Sequence, residues 1–318
     1  MKSKISSLLL MIVILSIFST TSTAQQIQIA EKILTQKYDL VPKHSKDTQY
    51  YEMESRLQKH ALDGVIQSVD VYRLQLRCVP SRDPAKKDEF TCLKFTVQVN
   101  NAQPVLIPSL VNWKYYFSIT ASDEDNKGQL FGIDHSKFEK LIDHTGKPLA
   151  LENTYHVYNA FIDFHTMSVF SERTARDSGI QELKFIGDKI VHNASYSQPQ
   201  VNLGREIAEG SYFKNGEITL FFKGLGVVNR RTCAIIEYDS GKSSFFMLMK
   251  PMRNMEVPTK GSSHYWGDIY KDLRSGWIQR AILNEVVISE TRVPAANTKM
   301  NNVIERQISI QNIRKPGL

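Results

Sequence analysis

Histidine and aspartate side chains are concentrated between Asp134 and His165, a segment that holds half of the chain's eight histidines. Imidazole and carboxylate groups are common protein ligands of zinc and similar ions. His156, Asp163 and His165 are therefore candidate metal ligands, and a metal-dependent hydrolase that uses segment 134–165 is one functional hypothesis. No cofactor is predicted beyond the metal ion that these residues would hold.

The spacing of the three candidates limits that hypothesis. If Thr154 to Phe170 is a helix, His156 and Asp163 share a face at i and i+7, while His165 points elsewhere. If the same residues form a strand, Asp163 and His165 share a face and His156 does not. Neither conformation brings all three together. The alternative is a polar stripe that faces water on an otherwise buried helix.

A second candidate site lies in the aromatic segment from Ser263 to Tyr270. In the alternating phase of a strand, one face carries aromatic rings for stacking and polar groups for orientation, which is typical of a ligand-binding surface. At about 3.3 Å per residue the histidine and the aspartate of this face are about 13 Å apart, too far to form a catalytic dyad. The alternative is an amphipathic core strand. The candidate ligand-binding residues are His264, Trp266, Asp268 and Tyr270.

The chain has three cysteines. Cys78 ends one predicted strand and Cys92 begins the next, so a disulfide that closes this hairpin is predicted for an exported protein. The alternation of the two strands points these cysteines to opposite faces, and a bulge would be needed to restore a common one. Cys233 lies in an apolar strand and is predicted to be a small buried side chain rather than a catalytic thiol.

Other features of the sequence argue against several function classes. It has no His-Glu-x-x-His or Gly-x-Ser-x-Gly motif, no phosphate-binding loop and no dinucleotide fingerprint, which disfavours an enzyme without excluding one. The formal net charge is +7. Basic residues are scattered, and Arg230-Arg231 and Arg314-Lys315 are only pairs, so no nucleic-acid partner is predicted.

Residues 1–24 have the layout of a secretory signal peptide. Lys2 and Lys4 precede an apolar run from Leu8 to Phe18, and Ser22 and Ala24 fit the cleavage site. The run is shorter than the roughly 20 residues that span a bilayer, and no later segment is apolar enough to do so. The sequence therefore predicts an exported protein, periplasmic or secreted, without a transmembrane span.

The rest of the chain is predicted to be mainly β, with few short helices, in two sheet-rich halves. Residues 25–172 would form an N-terminal domain, and residues 180–318 an antiparallel meander, built as an open half-barrel or a sandwich. Turn signals recur at regular spacing in this second half, as in a meander. The Asp63-Gly64 pair predicts a hairpin turn in the first half.

Three strands of the second half are apolar on both faces, namely Ile218 to Phe222, Cys233 to Ile236 and Phe245 to Met249. A curved sheet could cover one of these faces, and the N-terminal half, a dimer or a bound apolar ligand could cover the other. The long meander with few helices resembles the open half-barrels of periplasmic lipoprotein carriers in its strand pattern, which implies a similar fold for this half of the chain. The leading hypothesis is an exported, non-enzymatic binding protein for an apolar or amphipathic ligand or an envelope protein. A structural or adhesive surface protein is the remaining alternative.

Overall fold

The computed structural model describes residues 31–40, 45–83, 87–117, 130–171, 179–194, 196–197, 207–252 and 255–316. The predicted signal peptide, residues 1–24, lies outside this part of the chain. The strands are β1 (Gln49–His60), β2 (Ile66–Val79), β3 (Asp88–Val99), β4 (Val105–Leu106), β5 (Lys114–Phe117), β6 (Lys189–His192), β7 (Tyr196–Ser197), β8 (Tyr212–Lys214), β9 (Ile218–Val228), β10 (Arg231–Asp239), β11 (Ser243–Met252), β12 (Met255–Asp272), β13 (Ile278–Val293) and β14 (Thr298–Ile313).

These strands form one large open antiparallel sheet, which confirms the predicted mainly β class and the meander. The strand order is β4-β3-β2-β1-β14-β13-β12-β10-β9-β6, with β5 beside β3 and with β11, β8 and β7 branching from β12. Several sequential strands pair as hairpins, among them β1 with β2 and β9 with β10, whereas β10 pairs with β12 instead of β11. At the β1–β2 turn, Gly64 has a φ of 84°, a conformation that glycine adopts without steric cost.

The sheet is continuous across the two predicted halves because β1 pairs with β14. This pairing runs from Tyr50 opposite Ile313 to His60 opposite Val303. The first long strand and the last one are therefore neighbours, although most of the chain separates them. Independent folding of segments 25–172 and 180–318 stays a prediction, and any test of it has to account for this shared ladder.

A long helix, Leu151–Ser171, packs against one face of the sheet, which we call the inner face. Val157, Phe161 and Phe164 recur at helical spacing and are buried. The ring of Phe164 lies 5.1 Å from that of Tyr51 in β1, and the ring of Phe161 lies 5.7 Å from that of Phe95 in β3. Of the two alternatives for Thr154 to Phe170, the helix is therefore the one that forms.

The strands that are apolar on both faces place some side chains on the buried inner face and others on the opposite face of the sheet. Leu220, Phe222 and Ile236 are buried on the inner face. Tyr38, from the segment before β1, covers Phe222 at a ring distance of 5.4 Å. Ile235 points to the opposite face, which we call the outer face, and is half-buried there. The chain itself thus covers the inner face of β9 and β10, whereas the side chains of Phe245 to Met249 in β11 are half-buried.

The predicted disulfide between Cys78 and Cys92 is not formed. A β-bulge leaves Leu93 without a partner and turns Cys92 toward the inner face, so both cysteines share that face. Cys92 stands opposite Leu76, however, while Cys78 stands opposite Phe90. The two are diagonal neighbours, which lie farther apart than the directly opposed pairs of a ladder. Burial raises the pKa of the Cys92 thiol to about 12 and that of the Cys233 thiol to about 11, so both stay protonated.

An ion triad joins the long helix to the inner face of the sheet. The Arg306 guanidinium of β14 donates to Glu285 of the neighbouring strand at 2.6 Å and also binds Asp163 of the helix. All three side chains are largely buried. Burial, aided by the Glu285 charge, raises the pKa of Asp163 against the opposing effect of Arg306. One cation therefore has to compensate two buried anions.

This imbalance makes Arg306 the critical member of the triad. We expect Arg306→Leu to lower the free energy of unfolding by about 3–5 kcal/mol at pH 7, because two buried carboxylates would lose their counter-ion. The loss should shrink toward pH 5, because burial raises the pKa of Asp163 to about 6 and protonation of this carboxylate relieves the repulsion. Urea unfolding of both chains at pH 7 and at pH 5 measures this loss in the free energy of unfolding.

The matched control is Asp163→Asn, which removes one of the two anions and leaves a neutral Arg306–Glu285 pair. Its effect should be much smaller than that of Arg306→Leu. Equal losses for the two variants would contradict the proposed charge imbalance.

Candidate functional site

The four predicted ligand-binding residues lie on one face of β12, the outer face. His264 and Trp266 are exposed, and Asp268 and Tyr270 are half-buried. The residues between them point to the inner face, where Tyr238 packs over Gly267 and its hydroxyl donates to the carbonyl of Ile282 at 3.3 Å. A side chain at Gly267 would collide with that carbonyl. This close packing fixes the position of β12 beneath the exposed ring of Trp266.

The outer face next to Trp266 forms a cleft of about 480 Å³, which we call the outer-face cleft. It follows two adjacent rows of side chains that cross four strands in the order β12, β13, β14 and β1, as the strand registers dictate. One row consists of Trp266, Asn284, Gln307 and Arg56. The next contributes Val286, Glu305 and Gln58, with His264 at its end, outside the cleft.

The chemistry of the outer-face cleft is mixed. Trp266 is 38% exposed and offers one face of an indole ring. Around it stand amides, the guanidinium of Arg56 and the carboxylate of Glu305, whose oxygen lies 3.6 Å from Nε2 of His60. Such a set combines an apolar platform with hydrogen-bond donors and acceptors at its edge, which suits a ligand with one apolar face and a polar rim.

Trp266 is held from one side by a short chain of contacts. The ring of His264 lies 5.0 Å from that of Trp266 at an angle of 38°. Nε2 of His264 in turn lies 3.0 Å from Oδ1 of Asp239 in β10. His264 therefore acts as a support of the indole ring rather than as part of the cleft wall.

Asp268 and Tyr270 lie farther along the same face, outside the cleft. Asp268 forms an ion pair with Lys223 at 3.3 Å, and the guanidinium of Arg280 stands 5.8 Å from the centre of the Tyr270 ring. Glu237 also binds Lys223, and this hydrogen bond is the largest of the effects that raise the pKa of the lysine. Of the four predicted residues, only Trp266 lines the cleft. Sequence reasoning missed Arg56, Asn284, Glu305 and Gln307.

The three candidate metal ligands engage separate partners. The ring of His156 packs against Tyr72 at 5.4 Å, and Asp163 belongs to the ion triad with Arg306. His165 lies on another side of the helix, 2.9 Å from the hydroxyl of Tyr115. Within the described ranges, no group of three histidine, cysteine, aspartate or glutamate side chains is placed to hold a metal ion. The predicted metal site therefore gains no support from this arrangement.

His165 is buried in an aromatic cluster. The rings of Phe90 and Phe117 lie 4.7 Å and 5.0 Å from its imidazole. Burial lowers the pKa of His165 to about 3, so the imidazole is neutral at physiological pH. Its Nδ1 atom has no hydrogen-bond partner among the described residues. A neutral, inaccessible imidazole contributes to the core and cannot exchange protons readily with a substrate.

No known protein family matches the chain, and no characterised protein is similar to it in sequence. Among the helices that the structure describes, none is long and apolar enough to cross a membrane.

The buried His165 generates a prediction about acid stability. An imidazole with a pKa of about 3 in the folded chain and about 6.5 in the unfolded chain binds protons preferentially when unfolded. The folded state should therefore lose stability as the pH falls from about 6.5 toward 3. His165→Phe should remove this component, so that its stability difference from the wild-type chain changes steadily with pH in urea titrations.

Tyr115→Phe is the matched control, because it deletes the same hydrogen bond but leaves the imidazole in place. It should lower stability by about 1–3 kcal/mol and keep most of the acid dependence. If the stability of His165→Phe showed the same pH profile as that of the wild-type chain, the neutral buried imidazole would be contradicted.

Proposed function

We propose that the chain is an exported, non-enzymatic binding protein that holds an amphipathic ligand in the outer-face cleft. The observation that carries this proposal is the exposed ring of Trp266 at the edge of a row of amide and guanidinium groups from three further strands. Exposure of the apolar indole surface to water is unfavourable, and stacking against a ligand removes this unfavourable contact. Export is proposed from the signal-peptide pattern of residues 1–24.

The lining of the cleft favours an amphipathic ligand over a wholly apolar one. Arg56, Glu305 and Gln307 would lose hydration beneath a hydrocarbon chain without gaining hydrogen bonds. A ligand with a flat apolar face and polar groups along its edge meets both requirements. The inner face, where a lipid carrier would hold its cargo, is occupied here by the long helix and its aromatic contacts.

The proposal predicts that the ligand accompanies the purified protein. The full chain is expressed with its own leader in its native host and recovered after export. Its mass under native conditions should then exceed its mass under denaturing conditions by that of one small molecule. Recovery from the exported fraction tests the signal peptide in the same preparation.

Trp266→Ala should abolish the excess mass or weaken ligand affinity about tenfold or more, because the stacking platform is lost. Tyr116→Ala removes another exposed ring, on β5, and should retain the ligand. Equal native and denatured masses of the wild-type chain would contradict binding of a small molecule, and stable co-purification of a second protein would instead favour an envelope partner.

A further inference from the structure

Arginines that are distant in sequence converge at one end of the sheet. Arg230 and Arg231 lie at the β9–β10 turn, and Arg274 lies in the β12–β13 turn. The three line a second cleft of about 670 Å³, which we call the end cleft. From this arrangement we propose that the end cleft is a binding site for a phosphate-bearing anion, independent of the outer-face cleft.

A buried carboxylate organises two of these arginine positions. Asp272 is 2% exposed and accepts hydrogen bonds from Nη1 of Arg231 at 2.7 Å and from the backbone N–H of Arg274 at 3.0 Å. It also accepts from the hydroxyl of Ser275. These donors help keep the pKa of Asp272 below its usual range despite burial, which raises it. Asp272 is therefore ionised, and it holds the guanidinium of Arg231 at the cleft wall before any ligand arrives.

Arg230 occupies a position that a non-glycine residue adopts only at a cost. Asn229 and Arg230 have φ values of 52° and 63°, so both central residues of this two-residue turn are left-handed. Such turns favour Asn followed by Gly. An arginine at the second position costs about 1 kcal/mol relative to glycine. An exposed guanidinium at a strained position points to a role for that side chain.

The charges of the end cleft leave cationic groups available. In the described part of the chain, the guanidinium groups of Arg230 and Arg274 form no ion pair, while the charge of Arg231 is compensated by Asp272. Asp47 is the other carboxylate of the lining. Two uncompensated cations therefore face one uncompensated anion. Hydroxyl groups of Ser45 and Thr232 add neutral donors at the same wall, while the hydroxyl of Ser275 donates to Asp272.

Phosphate is the anion that this wall fits best. The planar guanidinium group binds phosphate oxygens through two parallel hydrogen bonds, and several such forks can share one phosphate or diphosphate. The basic pair Arg314-Lys315 follows β14 at the same end of the sheet, where Asn229 Nδ2 donates to the carbonyl of Asn312 at 3.0 Å. The positive charges at this end of the sheet would attract a ligand with more than one phosphate group over a long distance.

Isothermal titration of the full chain with inorganic pyrophosphate at low ionic strength tests this site. The wild-type chain should bind, and Arg230→Gly and Arg274→Gln should each weaken binding about tenfold, the loss expected for one charge-assisted pair. Arg230→Gly also relieves the strained turn, so its fold should be retained. Asp47→Asn should strengthen binding, a change of sign that general loss of structure would not produce.

Arg292→Gln is the matched control, since it removes one positive charge at the opposite end of β13. It should leave pyrophosphate affinity unchanged. A parallel arm measures co-sedimentation with phosphatidylglycerol vesicles. Binding to vesicles but not to pyrophosphate, with the same variant pattern, would support the site and identify a lipid headgroup as the source of the phosphate. Absence of binding in both arms, or an equal loss in Arg292→Gln, would overturn the proposal.

Discussion

The pairing of β1 with β14 is the constraint on which both faces of the sheet depend. It brings Arg56 and Gln58 beside Gln307 and Glu305, which completes the outer-face cleft. On the inner face it places Leu57 beside Arg306, the cation that binds the long helix through Asp163. A slip of one residue in this ladder would exchange the two faces of β1 and lose both arrangements. Contacts between such distant segments also form late and slowly in folding.

The two faces use ionisable groups in opposite ways. On the inner face, burial perturbs the pKa values of Asp163 and His165. Perturbed titration often marks an active site, but that inference requires access to a ligand. Here Asp163 is bound by Arg306, and His165 is enclosed by aromatic rings, so both shifts reflect packing of the helix. On the outer face, side chains keep contact with solvent and are placed by strand register. In the end cleft, the buried carboxylate of Asp272 holds the exposed guanidinium of Arg231.

The sequence was sufficient for the class of fold and for the phase of single strands. Alternation in β12 correctly placed His264, Trp266, Asp268 and Tyr270 on one face. It could not place Asn284, Gln307 and Arg56 beside Trp266, because register between distant strands is a property of the whole sheet. The Cys78–Cys92 disulfide failed for a similar reason. The bulge at Leu93 restored a common face, but the ladder set the two cysteines two residues out of register. The ambiguity of the long helix was settled only by the aromatic rings against which it packs.

The geometry of a pleated sheet also limits what the outer-face cleft can hold. Neighbouring strands are about 4.8 Å apart, and successive residues on one face are about 6.6 Å apart along a strand. Two rows across four strands therefore cover an area of roughly 14 Å by 7 Å. Only one end of this area carries an aromatic ring, that of Trp266, and the opposite end carries the charge of Arg56. A matching ligand therefore extends over about 14 Å, with its apolar face at one end and an acceptor at the other. The length of the cleft and the different chemistry of its two ends thus favour one orientation of a bound ligand. A flat apolar patch of equal area would not distinguish the two orientations.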